Sequence, residues 1–440
     1  MPVFMPRKLT FILIIVWLAL PTSLARSAEE STADDTARFL AGLAPSANSP
    51  LTALTNDALW RQHAHYFDSI FEREESSKLS KIRAFSRSQL TDKHDTMLYM
   101  FSGPDFLFAT SFFPSASTYV LAGLEPVGDV PQLASLSHPA VAETLHNLEN
   151  SLGTILEFSF FVTRKMRTQL SAGPVYGTLP ILYVFLARTG KTIHDVSFVS
   201  LDAEGNVHEL GEGWKRNAVS AARGVKIVFS DGSGRDQTLY YFSTNLADDS
   251  IRRTGFLAFC AKLGPTDSFI KSASYLMHSG RFDTVRNFLL DHSATILQDD
   301  SGIPLAFFDP KKWRLQPYGR YVGPISIFGH SYQPRMDELF SRDAIPIDFG
   351  IGYRWRSNES NLLLAERTSA RTTEGELAPS SPTDSYPADT KNQAHRANAA
   401  MAAAPSRRKR VESDTTGSLG CTGILRIFPF CSGPPPKSNQ

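Results

Sequence analysis

The sequence predicts an α/β protein: a mixed sheet with flanking helices. Three observations predict it. Some stretches place apolar residues at steps of three and four, others alternate with period two, and several strand-like runs pass through a short turn into a helical segment. The chain has 440 residues, 42% of them hydrophobic, and a formal net charge of +1. That length can bury one large core. No basic stripe crosses the body of the chain, so no nucleic-acid partner is expected.

The elements follow in order. Arg7 and Lys8 precede an apolar run over 9–20. At about a dozen residues it has the length of a signal-peptide core and is short for a membrane span. Pro21 breaks it, and small residues end at Ala25. Residues 1–25 are therefore read as a cleaved signal peptide. The product is expected to be periplasmic or secreted, with no stable membrane span after cleavage. Residues 26–54 read as a loose leader, and 55–365 as the main α/β domain. A helix is predicted over 57–86. "FSGPDFLFATSFFPSASTYVLAGLEP" completes a strand–helix–strand unit near 96–125, its aromatic residues packing a short helix against a sheet. Helices are predicted over 139–170 and 180–188. Two β-hairpins are predicted near 195–245, turning at "DAEGN" and "DGSGRD". Helices over 255–263, 267–278 and 282–291 come next, then strands in "ATILQ", "IPLAFF", "PISIF" and "FGIGYRW".

Residues 366–440 hold few large apolar side chains and are expected to be a disordered low-complexity tail. "RRKR" at 407–410 reads as a solvated charge run. Cys421 and Cys431 bracket an apolar patch and are expected to close a disulfide loop, which could dock on an envelope protein partner. Cys260, in an apolar run, reads as a buried thiol.

Several motifs are incomplete. "RTGKT" at 188–192 ends like a phosphate loop, but Phe185 stands where its first glycine belongs, and the order is helix then strand. Gly190 reads as a helix stop. "GHSYQ" at 329–333 resembles a nucleophile elbow with Gln333 in place of its last glycine, and the only later histidine is His395. "SFIK" matches Ser-x-x-Lys, with Ser268 and Lys271 on one helix face, but its companion motifs are absent. His63 and His65 diverge on a helix and make no two-histidine metal site.

Two groups of candidate residues remain. Lys271, Tyr275 and His278 would form one polar stripe on a 267–278 helix, where neighbours could tune proton transfer. Acids follow strands at Glu125, Asp202, Asp231, Asp299 and Asp300, and Asp105 follows the first. Ligands of α/β sheets bind at the carboxyl ends of parallel strands. Asp202 and Asp231 read as plain hairpin turns. That leaves Asp105, Glu125, Asp299 and Asp300.

"YMFSGPDFLFA", "TYVLAGLEPVG", "QDDSGIP" and "FGIGYRW" together resemble a group of exported bacterial proteins with no assigned activity. The resemblance covers roughly 55–365, implies export and one folded unit, and carries over no catalytic residue.

The reading is a small-molecule-binding or hydrolytic enzyme with strand-end carboxylates. The alternative is a non-catalytic envelope protein acting through protein partners. A Rossmann-like nucleotide or methyl-donor protein is disfavoured by the missing Gly-x-Gly-x-x-Gly. The residues name no cofactor or metal.

Overall fold

A computed structural model describes residues 33–91, 93–160, 176–211 and 222–368. The chain divides into two units, Met1–Thr368 and Ser369–Gln440, and every described residue belongs to the first. The helix predicted over 139–170 ends at Phe158, capped by Ser159, and residues 161–170, the signal peptide, "RRKR", His395 and the Cys421–Cys431 loop lie outside the described residues.

The loose leader is the first correction. Residues 33–40 form helix α1, and Ala37, Phe39 and Leu40 are fully buried. The segment is polar in composition, yet the helix is covered on all sides, with Asp35 and Thr36 buried beside these apolar residues. The long helix predicted over 57–86 is present in three parts. Helix α2 spans Ala58–Glu74, Glu75–Leu79 is π-helical, and α3 spans Ser80–Gln89. A π-turn holds an extra residue within the helical stack, and this one brings Lys78 and Leu79 to the buried side.

The strand–helix–strand unit forms as predicted. β1 is Thr96–Tyr99, α4 is Phe106–Phe112 and β2 is Thr118–Gly123, parallel to β1. Every residue of α4 is buried, and Phe106, Phe108 and Phe112 join the core. The aromatics pack, as expected. Helices α5 (His138–Phe158) and α6 (Leu179–Arg188) follow. Gly190 ends the α6 region at φ 70° with a strand after it, so "RTGKT" is a helix stop.

β3 (Thr192–Leu201) pairs antiparallel with β4 (Val207–Glu209), and β5 (Arg223–Ser230) with β6 (Asp236–Ser243). These are the two predicted hairpins. Short helices α7 (Asp248–Ile251) and α8 (Phe256–Lys262) lead to β7 (Thr266–Ile270). Cys260, in α8, is a buried thiol. Helix α9 (Asp283–His292), β8 (Ser293–Gln298), β9 (Trp313–Gly319), α10 (Pro334–Asp343) and β10 (Asn361–Arg367) complete the unit.

β7 replaces the first half of the helix predicted over 267–278, and only Leu276–His278 makes a short 3-10 turn. "IPLAFF" and "PISIF" are not strands: 3-10 turns occupy Leu305–Phe307 and Ser326–Ser331. "FGIGYRW" supplies one isolated bridge, Ile351 to Arg354.

The ten strands of the described residues form one sheet in the order β4-β3-β5-β6-β2-β1-β7-β8-β10-β9. The central block β6-β2-β1-β7-β8 is parallel, with antiparallel strands at both ends. Successive side chains point to opposite faces. Met97 and Tyr99 of β1 enter the core that holds α4 and α6, while Leu98 and Met100 enter the core that holds α8 and α9. Burial on both faces explains why these strands read as unbroken apolar runs.

Candidate functional site

The chain leaves β1 through α4 on one face to reach β2, and leaves β7 through α9 on the other face to reach β8. Between β1 and β7 the winding therefore changes direction. In open α/β sheets a ligand crevice forms at such a switch point, outside the carboxyl ends of the strands. Asp105 follows β1, Lys271 follows β7, and Asp299 and Asp300 follow β8.

At the switch point, Lys271 Nζ lies 2.8 Å from Asp105 Oδ2, and both residues are nearly fully buried, at 3% and 1% exposure. Lys271 also donates to the backbone oxygen of Ser159 and sits 3.8 Å over the Phe108 ring. Asp105 caps α4, accepting from Phe108 N at 3.3 Å, and takes a 2.8 Å hydrogen bond from the Tyr99 hydroxyl. Burial pushes the Lys271 ammonium below its ordinary range, opposed by the Asp105 charge. Burial raises the Tyr99 phenol well above its own, reinforced by Asp105.

The aspartates after β8 divide the next contacts. Asp299 accepts from Ser272 N at 2.8 Å and Ser301 N at 3.0 Å. Burial, and after it the Asp300 charge, push its carboxyl up to about 7. Asp300 accepts from the Tyr275 hydroxyl at 2.7 Å and from Asn361 Nδ2 at 3.4 Å, and burial raises it too. Gly352, at φ 66°, backs onto this pair. A Cβ there would lie 2.2 Å from Asp299 Oδ2.

The backbone is unusual here as well. Among the described residues, the non-glycine positions with positive φ are Phe101, Ser159, Ser272, Ser274 and Tyr275. Ser159, Ser272 and Tyr275 bond the groups just named, and Ser274 stands beside Tyr275 in the chain. Such backbone costs of the order of 1–3 kcal/mol per residue and persists only where surrounding contacts enforce it. Tyr353 supplies one of those contacts, donating to Ser272 O at 3.0 Å.

The sequence-derived candidates separate accordingly. Asp105, Lys271, Asp299, Asp300 and Tyr275 come together. The helical stripe that grouped Lys271, Tyr275 and His278 does not exist, because Lys271 leaves a strand. Tyr275 reaches the site through Asp300. His278 packs edge-on against Tyr275 at 5.2 Å, and burial, His330 and Arg286 hold it down at about 4. It is thus neutral at pH 7.

Glu125, after β2, has its carboxylate beside Gly103 of the loop that leads to Asp105, and its backbone oxygen accepts from Tyr241 at 2.8 Å. A Cβ at Gly123 would fall 2.4 Å from its Oε2, so that glycine makes room for it. Ser268 bonds Ser293 Oγ at 2.7 Å inside the sheet, which removes the Ser-x-x-Lys reading. Gln333, in the expected elbow, accepts from Leu305 N at 2.8 Å and has a packing role. His63 is buried between Glu149 and Leu40 O.

Sequence reasoning missed Glu74, Lys78 and Ser159. Lys78 Nζ binds Glu74 Oε2 at 2.8 Å and Ser159 Oγ at 3.1 Å. Ser159 thereby joins Lys78 to Lys271. The i, i+4 spacing of Glu74 and Lys78 was a visible signal, whereas the left-handed backbone of Ser159 was not.

The parallel strands, numbered along the chain, lie in the order 3-2-1-4-5, as in doubly wound dinucleotide-binding sheets. The topology is thus the one the missing glycine pattern had argued against. The glycine-rich loop remains absent, and Asp105 already fills the cap of α4 with a carboxylate, where an anionic phosphate would be repelled. Among the described residues no group of three or more His, Cys, Asp or Glu is placed to hold a metal ion, and no helix is long and apolar enough to cross a membrane. The chain matches no protein-family model, and no curated protein is significantly similar to it.

Proposed function

We propose that this chain is a periplasmic or secreted enzyme that binds a small polar molecule and transfers a proton to or from it, with hydrolysis as the reaction class. One observation carries the reading. Asp105, Lys271 and Asp299 come from three separate strand ends to the switch point, and each is almost fully buried. In this reading the Lys271–Asp105 pair offers a charged donor beside a charged acceptor. Asp299, raised to about 7, can give and take a proton near neutral pH, where general acid–base catalysis is most efficient.

A second reading, a non-catalytic envelope protein working through a protein partner, draws support from how completely these groups bond one another. One experiment weighs the two. The full-length protein is screened against polar metabolites and hydrolase substrates by thermal shift and turnover, beside Asp299→Asn. The enzyme reading expects a ligand-induced rise in Tm, or turnover, that Asp299→Asn abolishes while unfolding stays cooperative. A variant with an undiminished response overturns it in favour of the second reading.

A further inference from the structure

An open groove of about 710 Å³ is lined by the α2–α3 arm, by Gly153 and Glu157 of α5, and by the segment 348–357. We infer that it is a ligand groove for a neutral, hydroxyl-rich ring compound, a saccharide of one or two rings. The inference rests on the proposed function for the groove's link to Lys271. The ligand class comes from the groove's own residues.

The inner wall carries Lys78 and Glu74, both buried. An ammonium has three N–H donors, and Glu74 and Ser159 take two of them. A donor and an acceptor side by side suit neighbouring hydroxyls, which give and receive at once. The π-helical Glu75–Leu79 puts Lys78 there, and π-turns are frequent at functional sites. Ser159 then connects Lys78 to Lys271.

The other walls set the remaining requirements. Half-buried Tyr66 and Trp355 offer aromatic surface, which favours a ligand with one apolar side. Charges balance: Arg73, Lys78 and Lys81 line the groove with Glu74, Glu157 and Asp348. Lys81 pairs with Asp348 at 3.4 Å and Lys78 with Glu74. A ligand with net charge of either sign would meet as much repulsion as attraction. The volume falls within the roughly 300–1,000 Å³ of ordinary small-molecule sites.

The test uses full-length protein and five probes. Glucose, maltose and N-acetylglucosamine are neutral, glucuronate is anionic and glucosamine cationic. Binding is read by calorimetry and by tryptophan fluorescence. At least one neutral probe should bind saturably, with the charged probes weaker. Affinity should fall by about tenfold or more in Trp355→Ala, which removes the stacking surface. Ser77→Trp should block binding from an exposed position that leaves the core intact. Failure of every neutral probe to bind, or binding unchanged in Ser77→Trp, overturns the inference. The two proposals fail separately. Sugar binding with an Asp299→Asn variant that behaves as wild type sinks the proton-transfer reading and leaves the ligand groove standing. An Asp299-dependent response to some other compound, with no neutral sugar bound, sinks the ligand groove alone.

Discussion

Asp231 and Asp299 follow strands in the same way along the chain, yet their surroundings are opposite. Asp231 sits in the β5–β6 hairpin turn, partly exposed, where the Ser233 hydroxyl and the Ser233 and Arg235 N–H groups hold its carboxyl down at about 2. Asp202, in the β3–β4 turn, is likewise lowered, chiefly by His208. Asp299 ends a parallel strand and is pushed up to about 7 by burial. A tight antiparallel return leaves the acid at the surface with turn N–H groups aimed at it. A crossover carries the chain back over the sheet and buries the acid under the next layer. The meaning of a strand-end acid is thus set by how the chain leaves the strand.

The sharpest way to break this contrast is Lys271→Met. It strands the buried Asp105 carboxylate, and removing one partner of a buried ion pair typically costs about 3–5 kcal/mol. Urea unfolding should show that loss, with partial recovery on adding Asp105→Asn, while Asp231→Asn shifts the midpoint far less. Equal small shifts for both would mean the carboxyl edge is not the buried charge site it looks to be.

The next effect is in pH. Asp299 has a folded value near 7 against an ordinary 3.8, so the folded state binds the proton more tightly than the unfolded state. Its contribution to stability is full below about 4 and is lost as pH rises toward 7. Asp231 has the opposite sign: its contribution is present above 3.8 and lost as pH falls toward 2. Unfolding free energies between pH 4 and 8 should therefore decline less in Asp299→Asn than in wild type. A parallel decline in both proteins would assign the pH dependence to other groups.

The smallest effect tests the strained backbone. Among the described residues the Ser272 hydroxyl has no hydrogen-bond partner, and its φ is 53°. Ser272→Gly should relieve that strain and stabilise the protein by up to about 1 kcal/mol, the extra freedom of glycine in the unfolded chain offsetting part of the gain. Thermal melts that show destabilisation would mean the hydroxyl makes an interaction worth more than the strain.

Much of the central fold was legible. The strand–helix–strand unit and both hairpins carry strong local signals, in the Pro104–Asp105 helix start and in the Asp/Gly turns. β7 was not legible. "TDSFI" is short and buried on both faces, so it lacks the alternation that marks a strand. Its neighbours Lys271, Tyr275 and His278 fell at helical spacing by coincidence. Edge strand β9 was hidden by Pro317, which an edge tolerates because, apart from the isolated bridge to Ile345, no strand pairs with its outer side among the described residues. At the site, the acids were found by position alone. Their partners Lys78, Ser159 and Asn361 come from distant segments, and only folding shows that they meet.

The π-turn at Glu75–Leu79 has one more consequence, for which changes in length the chain can absorb. α2 buries Phe67, Ile70 and Phe71, and α3 buries Ile82 and Phe85. Between those two stripes the π-turn takes up one residue more than an ordinary helical turn. Deleting one residue there would restore an ordinary helix and leave the flanking stripes facing nearly as before, whereas inserting one more would turn everything beyond it by about 100°. Phe85 would leave Phe112 and Phe349, and Lys78 would leave Ser159. In this serine-rich stretch a single-residue deletion is absorbed, and a single-residue insertion acts as a frameshift in three dimensions.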